Sequence, residues 1–325
     1  MNYIVFDLEW NQSPAGKEGT VEHFPFEIIE IGAVKLDENL QQVGEFHQLI
    51  APQVYRQLHY KILEVTHYTM PELRRNGLSF CQAAKAFLDW CGADARFVTW
   101  GSMDLTEFQR NMTYFGMEIP FPMPLLYYDL QKLYSLCYAD GKIKLSLDQA
   151  VADRQIPVDD TRPFHHALED SYYTGQVMAH MDFERVKCYV SMDYYRVPQK
   201  EGEEVYLKFP GYAKFVSREY AVKEEAFQDK LVTDMICKEC GRMLRKKIRW
   251  FPVNQKLSMC LAVCPVHGPV RGKIRVKRAE DGNIFVVRTS KITDEEGARL
   301  VAERKEEVRL KRAEKSRNRR MSERS

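Results

Sequence analysis

No stretch of the 325 residues approaches the roughly 18 consecutive apolar residues that a membrane-spanning helix requires. The first residues, Met1 to Trp10, read as a β-strand interrupted by Asp7 and Glu9, not as a secretory leader. Glycine and proline number 17 and 14, too few for a collagen-like or low-complexity chain, and there is no internal repeat. A disulfide framework is also missing. Of eight cysteines, Cys81, Cys91, Cys137 and Cys188 are scattered through ordinary segments, while Cys237, Cys240 and Cys264 lie close in sequence. That usage suggests zinc plus reduced thiols, and a cytoplasmic location.

Acidic residues are almost absent from one part of the chain. Residues 237–278 contain 12 Lys and Arg against Glu239 alone, whereas residues 1–236 carry 23 basic and 35 acidic groups. The overall charge of +2 therefore conceals an acidic front joined to a basic back. So compact a basic segment suits a polyanionic partner.

With 45% apolar residues the chain has material for packed cores, and its length predicts two or three domains. Tyr3 to Trp10, Glu27 to Leu36 and Glu45 to Ile50 have the composition of strands. Phe80 to Trp90, Ser102 to Phe115, Tyr128 to Cys137, Leu145 to Arg154 and His166 to Met181 have helical patterns, with a short strand at Arg96 to Trp100. A strand meander followed by strand and helix alternation predicts an α/β domain with a mixed sheet, over residues 1–182. Residues 183–233 read as an irregular connector with one helix near Tyr220 to Lys230. Residues 234–290 read as a small β-rich zinc ribbon, and residues 291–325 as a charged helical, basic tail. Thr293 and Glu296 have the spacing of a capping box for that last helix.

Asp7 and Glu9 fall on one face of the first strand, because strand side chains alternate, while Ile4, Phe6, Leu8 and Trp10 fill the other. Two carboxylates so placed repel each other and lose hydration unless a cation compensates. Asp104 begins a helix just after a strand, and Asp170 lies in the first turns of another; alone, each is an ordinary helix-start acid. His165 precedes Asp170 by five residues. Together these groups meet the needs of two-metal phosphodiester hydrolysis, with oxygen ligands suited to Mg²⁺ or Mn²⁺ and an imidazole to accept a proton from water.

Asp7-Leu8-Glu9, Gly101-Ser102-Met103-Asp104-Leu105 and His165-His166-Ala167-Leu168-Glu169-Asp170 closely resemble, in order and spacing, the three signature segments of the DEDDh, or DnaQ-like, 3′-to-5′ exonucleases. Within that family, Glu45 to Ile50, Phe97 to Gly101 and Asp129 to Tyr134 look like the histone-mRNA 3′-end exoribonuclease and bacterial KapD-type branch. The resemblance implies an RNase H-like fold, two metal ions held by Asp7, Glu9, Asp104 and Asp170, and His165 as general base. Only the family's five-residue offset selects His165 over His166. Where relatives carry a Leu-Thr-Gly-Ile-Thr-like stretch this chain has Val65-Thr66-His67-Tyr68-Thr69, whose bulkier His67 and Tyr68 either stack on a terminal base or simply pack.

Cys237-x2-Cys240 and Cys264-x2-His267 have the form of two zinc knuckles. Cys260 competes with Cys264 on spacing, but Cys264 and His267 flank a turn that presents both ligands. Around them lie many cations interleaved with aromatics, of which Arg245, Lys246, Lys247, Arg249 and Trp250 are the expected nucleic-acid contacts. The whole predicts a metal-dependent 3′-to-5′ exonuclease of single-stranded nucleic acid, RNA above DNA, releasing nucleoside 5′-monophosphates. The same reading predicts two Mg²⁺ or Mn²⁺ ions, one structural Zn²⁺ and no membrane partner. The alternatives are a KapD-like regulatory binding protein that keeps the fold, and a DNA-directed repair enzyme.

Overall fold

A computed structural model describes residues 2–139, 141 and 143–322. The chain divides after Arg196 into two compact units. The first begins with the meander β1 (Asn2–Gln12), β2 (Phe26–Leu36) and β3 (Gln42–Leu49). It continues through α1 (Tyr60–Thr66), α2 (Met70–Asn76), α3 (Phe80–Cys91), β4 (Ala95–Thr99), α4 (Asp104–Tyr114), β5 (Leu126–Asp129) and α5 (Leu130–Tyr138). α6 (Leu147–Asp153), α7 (Ala167–Ala179), α8 (Phe183–Val186) and β6 (Ser191–Met192) complete it.

The sheet order is β3-β2-β1-β4-β5-β6. β1 runs antiparallel to β2 and parallel to β4, which is parallel to β5. This is the expected mixed α/β, RNase H-like sheet flanked by helices. Strand alternation divides its core in two: Tyr3, Val5 and Val34 pack with Leu133, Tyr173 and Val177 of α5 and α7, while Ile4, Phe6 and Leu8 pack with Phe87, Leu105 and Phe108 of α3 and α4. Burying each Phe contributes about 1.5–3 kcal/mol.

Three local features depart from the sequence reading. Tyr128 and Asp129, read as the first residues of a helix, instead end β5, and the Asp129 carboxylate accepts the Lys132 N–H to cap α5. α1 and α2 occupy a stretch to which the sequence reading assigned no element; a capping box of Thr69 and Glu72 starts α2. The segment 183–233 carries regular elements: residues 183–196, with α8 and β6, belong to the first unit, and residues 197–233 to the second.

That second unit contains β7 (Val205–Lys208), β8 (Ala213–Val216), α9 (Lys223–Gln228), α10 (Lys230–Thr233), β9 (Arg245–Pro252), β10 (Leu257–Cys264), β11 (Gly268–Arg278), β12 (Ile284–Ile292) and α11 (Glu295–Ser322). Its six strands run antiparallel in the order β7-β8-β12-β11-β10-β9. The β7–β8 hairpin gains its order by pairing with β12, about 70 residues onward, which local pattern cannot reveal. α11 is the expected charged helix, but its cap is Asp294, whose carboxylate accepts the Gly297 N–H at 2.8 Å, and not Thr293. No helix among the described residues is long and apolar enough to cross a membrane.

Candidate active site and metal centre

β1 carries Asp7 and Glu9 on the α7 side of the sheet, as alternation requires. Directly opposite Asp7 in the β1–β2 register is Gly32. A Cβ at Gly32 would lie only 2.0 Å from the backbone of Ala167 and Leu168, so glycine alone lets the start of α7 press against β2. Ser171 Oγ fixes that approach by donating to Gly32 O at 2.9 Å. The result brings Asp170 to β1: oxygens of Asp7, Glu9 and Asp170 lie within 4.8 Å of one another. Asp104, buried at the first turn of α4, stands close enough to be the largest electrostatic influence on Asp7.

All four acids are held above the ordinary carboxylate range. Burial, followed by the charges of Asp104, Glu9, Asp170 and Glu30, pushes Asp7 well upward. Burial and then Glu30 push Glu9 to about 9. Asp104 rises to about 7 and Asp170 to about 6, burial outweighing the backbone N–H groups that favour their charged forms. Converging oxygens that resist ionising together fit a hard divalent cation, which removes both the repulsion and the loss of hydration.

The two histidines have different surroundings. His166 Nδ1 lies 3.0 Å from the Tyr68 hydroxyl, with the rings edge to face. His165 is exposed, adopts a left-handed backbone (φ 71°), and turns its N–H toward Asp170 Oδ1 at 3.3 Å. Its ring has no hydrogen bond among the described residues, which leaves it available to a ligand. Tyr68 packs: it is buried against Ile29 and Leu73, and burial with Glu30 nearby pushes its phenol upward. His67 is exposed, as the left-handed C-cap of α1.

Sequence reasoning missed Glu30. It faces Glu9 in the β1–β2 register and is fully buried; Oε1 meets His47 Nε2 at 2.7 Å, and Oε2 has no hydrogen-bond partner among the described residues. The hydrogen bond to Glu30 raises the His47 pKa. The available signal was an acid in the otherwise apolar run Ile28-Ile29-Glu30-Ile31. As the largest electrostatic influence on Glu9, Glu30 adds negative potential to the site without reaching into it. Glu30→Gln is expected to raise the Mg²⁺ concentration for half-maximal activity about tenfold while retaining most of the rate at saturating metal. A metal titration of initial rates tests this; an unchanged half-point refutes it.

In the second unit Cys237, Cys240, Cys264 and His267 come together, with Cys240 Sγ–Cys264 Sγ at 3.7 Å, Cys237 Sγ–His267 Nδ1 at 3.5 Å and Cys264 Sγ–His267 Nδ1 at 3.6 Å. A tetrahedron with zinc–sulfur bonds of about 2.3 Å has edges of about 3.8 Å, so the donor set matches zinc in number, type and spacing. Although burial opposes it, N–H groups of His267 and Val266, with the side chains of His267 and Cys240, lower the Cys264 thiol to about 6. Cys260 lies four residues back along β10, opposite Gly272 in the core, where burial pushes its thiol to about 12.

The expected nucleic-acid residues separate. Arg245, Lys246, Arg249 and Trp250 line an open cleft of about 520 Å³ with Phe227 and Thr233; Lys247 is exposed outside that lining. Two of the four have engaged polar ends: Lys246 Nζ and Trp250 Nε1 donate to Thr233 O at 2.8 and 2.7 Å, tying β9 to the end of α10.

Fold and carboxylate cluster together have the character of a phosphodiester-hydrolysing domain. Residues 4–178, more than half of the chain, match the family model RNase T, described as exonuclease. The chain belongs to that exonuclease family, and the matched region contains Asp7, Glu9, Asp104, His165 and Asp170. The DEDDh resemblance therefore stands at the family level; the match does not separate the histone-mRNA or KapD-type branch. No curated protein matches the chain.

Solved structures similar to it include a 3′-exonuclease recognising the histone mRNA stem-loop, at 21% identity over 59% of this chain and 84% of that one, with TM-score 0.48. Another is the nuclease domain of 3′hExo, a DEDDh family member, bound to rAMP, at 22% identity over 59% and 96% with TM-score 0.47. E. coli Exonuclease I with a dT13 oligonucleotide matches at 14% identity over 80% and 54%, with TM-score 0.47.

Proposed function

We propose that the chain is a metal-dependent 3′-to-5′ exonuclease of single-stranded RNA, with a zinc-stabilised basic unit that helps hold the strand. The observation that carries this reading is the convergence of Asp7, Glu9 and Asp170 beside Asp104, with the His165 ring left unengaged. Asp7, Glu9, Asp104 and Asp170 would hold two Mg²⁺ or Mn²⁺ ions, which when bound supply charge neutralisation at the scissile phosphate and its leaving oxygen. His165 accepts the proton of the attacking water, and its exposed position leaves the ring accessible to solvent and substrate. His166 positions, through Tyr68, the start of α7. The preference for RNA rests on the resemblance of Glu45 to Ile50, Phe97 to Gly101 and Asp129 to Tyr134 to the histone-mRNA exonuclease branch.

The direct test is digestion of 3′-labelled and 5′-labelled single-stranded RNA and DNA with Mg²⁺, Mn²⁺ or EDTA. Metal-dependent shortening of RNA from its 3′ end is expected. Intact strands that still bind would favour the regulatory reading, and shortening of DNA alone the repair reading. His165→Ala is expected to lower turnover by about 10²–10⁴-fold without moving the metal half-point. His166→Ala, a positioning change, is expected to cost less and to leave the pH profile in place. The reverse order of effects would assign the base to His166.

A further inference from the structure

The basic residues of the second unit fall on different surfaces. β11 alternates: Val270, Gly272 and Ile274 are buried, while Arg271, Lys273 and Arg275 point to the opposite face. In register, Arg271 faces Lys291 and Lys273 faces Thr289 on β12, so Lys291 joins the same face. On β10 the residues opposite Lys273 and Arg271 are Met259 and Leu261, which with Phe251 lie beneath Ala298 and Val301 of α11. α11 packs over β10 and part of β11 on this face, and the four cations stand along β11 and the adjoining strand β12. The other face is closed by α9 and α10, through Ala226 and Val232 against Ile274 and Val286.

Among the described residues, no ion pair or side-chain hydrogen bond engages Arg271, Lys273, Arg275 or Lys291. Lys273 is lowered by burial and then by Arg271, Arg275 and Lys291, with no carboxylate among its influences. Like charges directly across a strand pair are destabilising. Ordinary surfaces mix the signs, whereas among the described residues none of these four cations is paired with a carboxylate. Alternate residues on β11 are about 6.7 Å apart, a step comparable to that between successive phosphates of an extended strand. The β9 cleft is the weaker candidate for the main charge contact, because Lys246 and Trp250 are tied to Thr233.

We propose that the β11–β12 face bearing Arg271, Lys273, Arg275 and Lys291 is a phosphate-binding track for single-stranded nucleic acid. This rests on the exonuclease reading and adds where the strand is held. A polyanion laid along the row turns cation repulsion into attraction and releases counterions, so affinity falls steeply with salt.

The test uses the full chain with Asp7→Asn, so that the probe survives, and a fluorescein-labelled oligouridylate of about twenty nucleotides. Binding is measured from about 50 to 200 mM salt. Arg275→Gln with Lys291→Gln, both exposed, is expected to reduce the slope of log affinity against log salt by about 1.4, at about 0.7 per lost phosphate contact. Equal charge removal by Lys17→Gln with Lys85→Gln in the first unit is the control, and matched melting curves show that folding is intact. An unchanged slope, or a loss no larger than in the control, overturns the proposal. So does a double variant that keeps its slope on RNA but no longer sediments with phosphatidylserine vesicles. Digestion by the unmodified protein in Mg²⁺ reports separately on the exonuclease reading. Digestion with an unchanged slope in the variant refutes the track alone, and a reduced slope without digestion refutes the exonuclease reading alone.

Discussion

Asp7→Asn is expected to reduce hydrolysis by at least about 10³-fold and, in the same sample, to raise the melting temperature of the metal-free protein by several degrees. Both effects come from one feature. Asp7 sits among Glu9, Asp104, Asp170 and Glu30, and burial together with those charges pushes it well above the usual carboxylate range. Asparagine keeps the shape, removes one ligand oxygen's charge, and relieves its neighbours. The metal-free fold therefore gains what the metal site loses, as expected of a site whose cost is borne for function.

The same cluster fixes a pH dependence. Asp170, Asp104 and Glu9 have folded values of about 6, 7 and 9 against ordinary values of 3.8, 3.8 and 4.5. Raised acids bind more protons folded than unfolded, so the metal-free protein loses stability as pH rises from about 4 to about 9. Saturating Mg²⁺ or Mn²⁺ is expected to flatten that decline, since a bound cation keeps the charged forms favourable. Thermal melting across this range, with and without metal, checks the sign. A metal-free protein that becomes more stable as pH rises, or an Asp7→Asn variant that loses stability while activity persists, refutes the reading of this cluster.

The second large effect is expected at the zinc cluster. Cys264→Ala removes one of four donors from a set whose spacing already matches tetrahedral zinc. Structural zinc in small modules supplies about 10–16 kcal/mol of folding free energy, beyond what the small core of Met235, Leu244, Cys260, Ala262 and Val270 can replace. Zinc content is expected to fall from one per chain toward zero, and the second unit to become sensitive to protease while the first retains its own transition. Cys260→Ala leaves a cavity in the same core but is expected to keep the zinc. Elemental analysis of the two variants decides between the cysteines; zinc lost with Cys260 and kept without Cys264 reverses the assignment.

The strand pattern of Tyr3 to Trp10 was enough to place Asp7 and Glu9 on one face, because alternation is a local property of extended backbone. Helix-start positions for Asp104 and Asp170 and the knuckles at Cys237, Cys240, Cys264 and His267 were legible for the same reason: each depends on residues a few positions apart. Lys246 and Trp250 were legible as a cation and an aromatic, but not as partners of Thr233, which lies 13 and 17 residues away.

Sequence alone determined the mixed α/β class, the expectation that Asp7, Glu9, Asp104 and Asp170 act together, the Cys237-x2-Cys240 and Cys264-x2-His267 pairs that the fold groups, and the division into acidic and basic parts. Tertiary structure decided which neighbours those groups have. The β1–β2 register set Glu30 beside Glu9, and the missing side chain at Gly32 let α7 carry Asp170 to the strand. The length of β10 put Cys264 at the turn and Cys260 deep in the core, and the Tyr68 contact engaged His166 while leaving His165 open. Pairing with β12 ordered a segment that looked irregular, and the β11–β12 register gathered scattered cations into one row. Periodicity specifies which way a side chain points within an element; cross-strand register and close approach between elements depend on distant contacts that no local pattern contains.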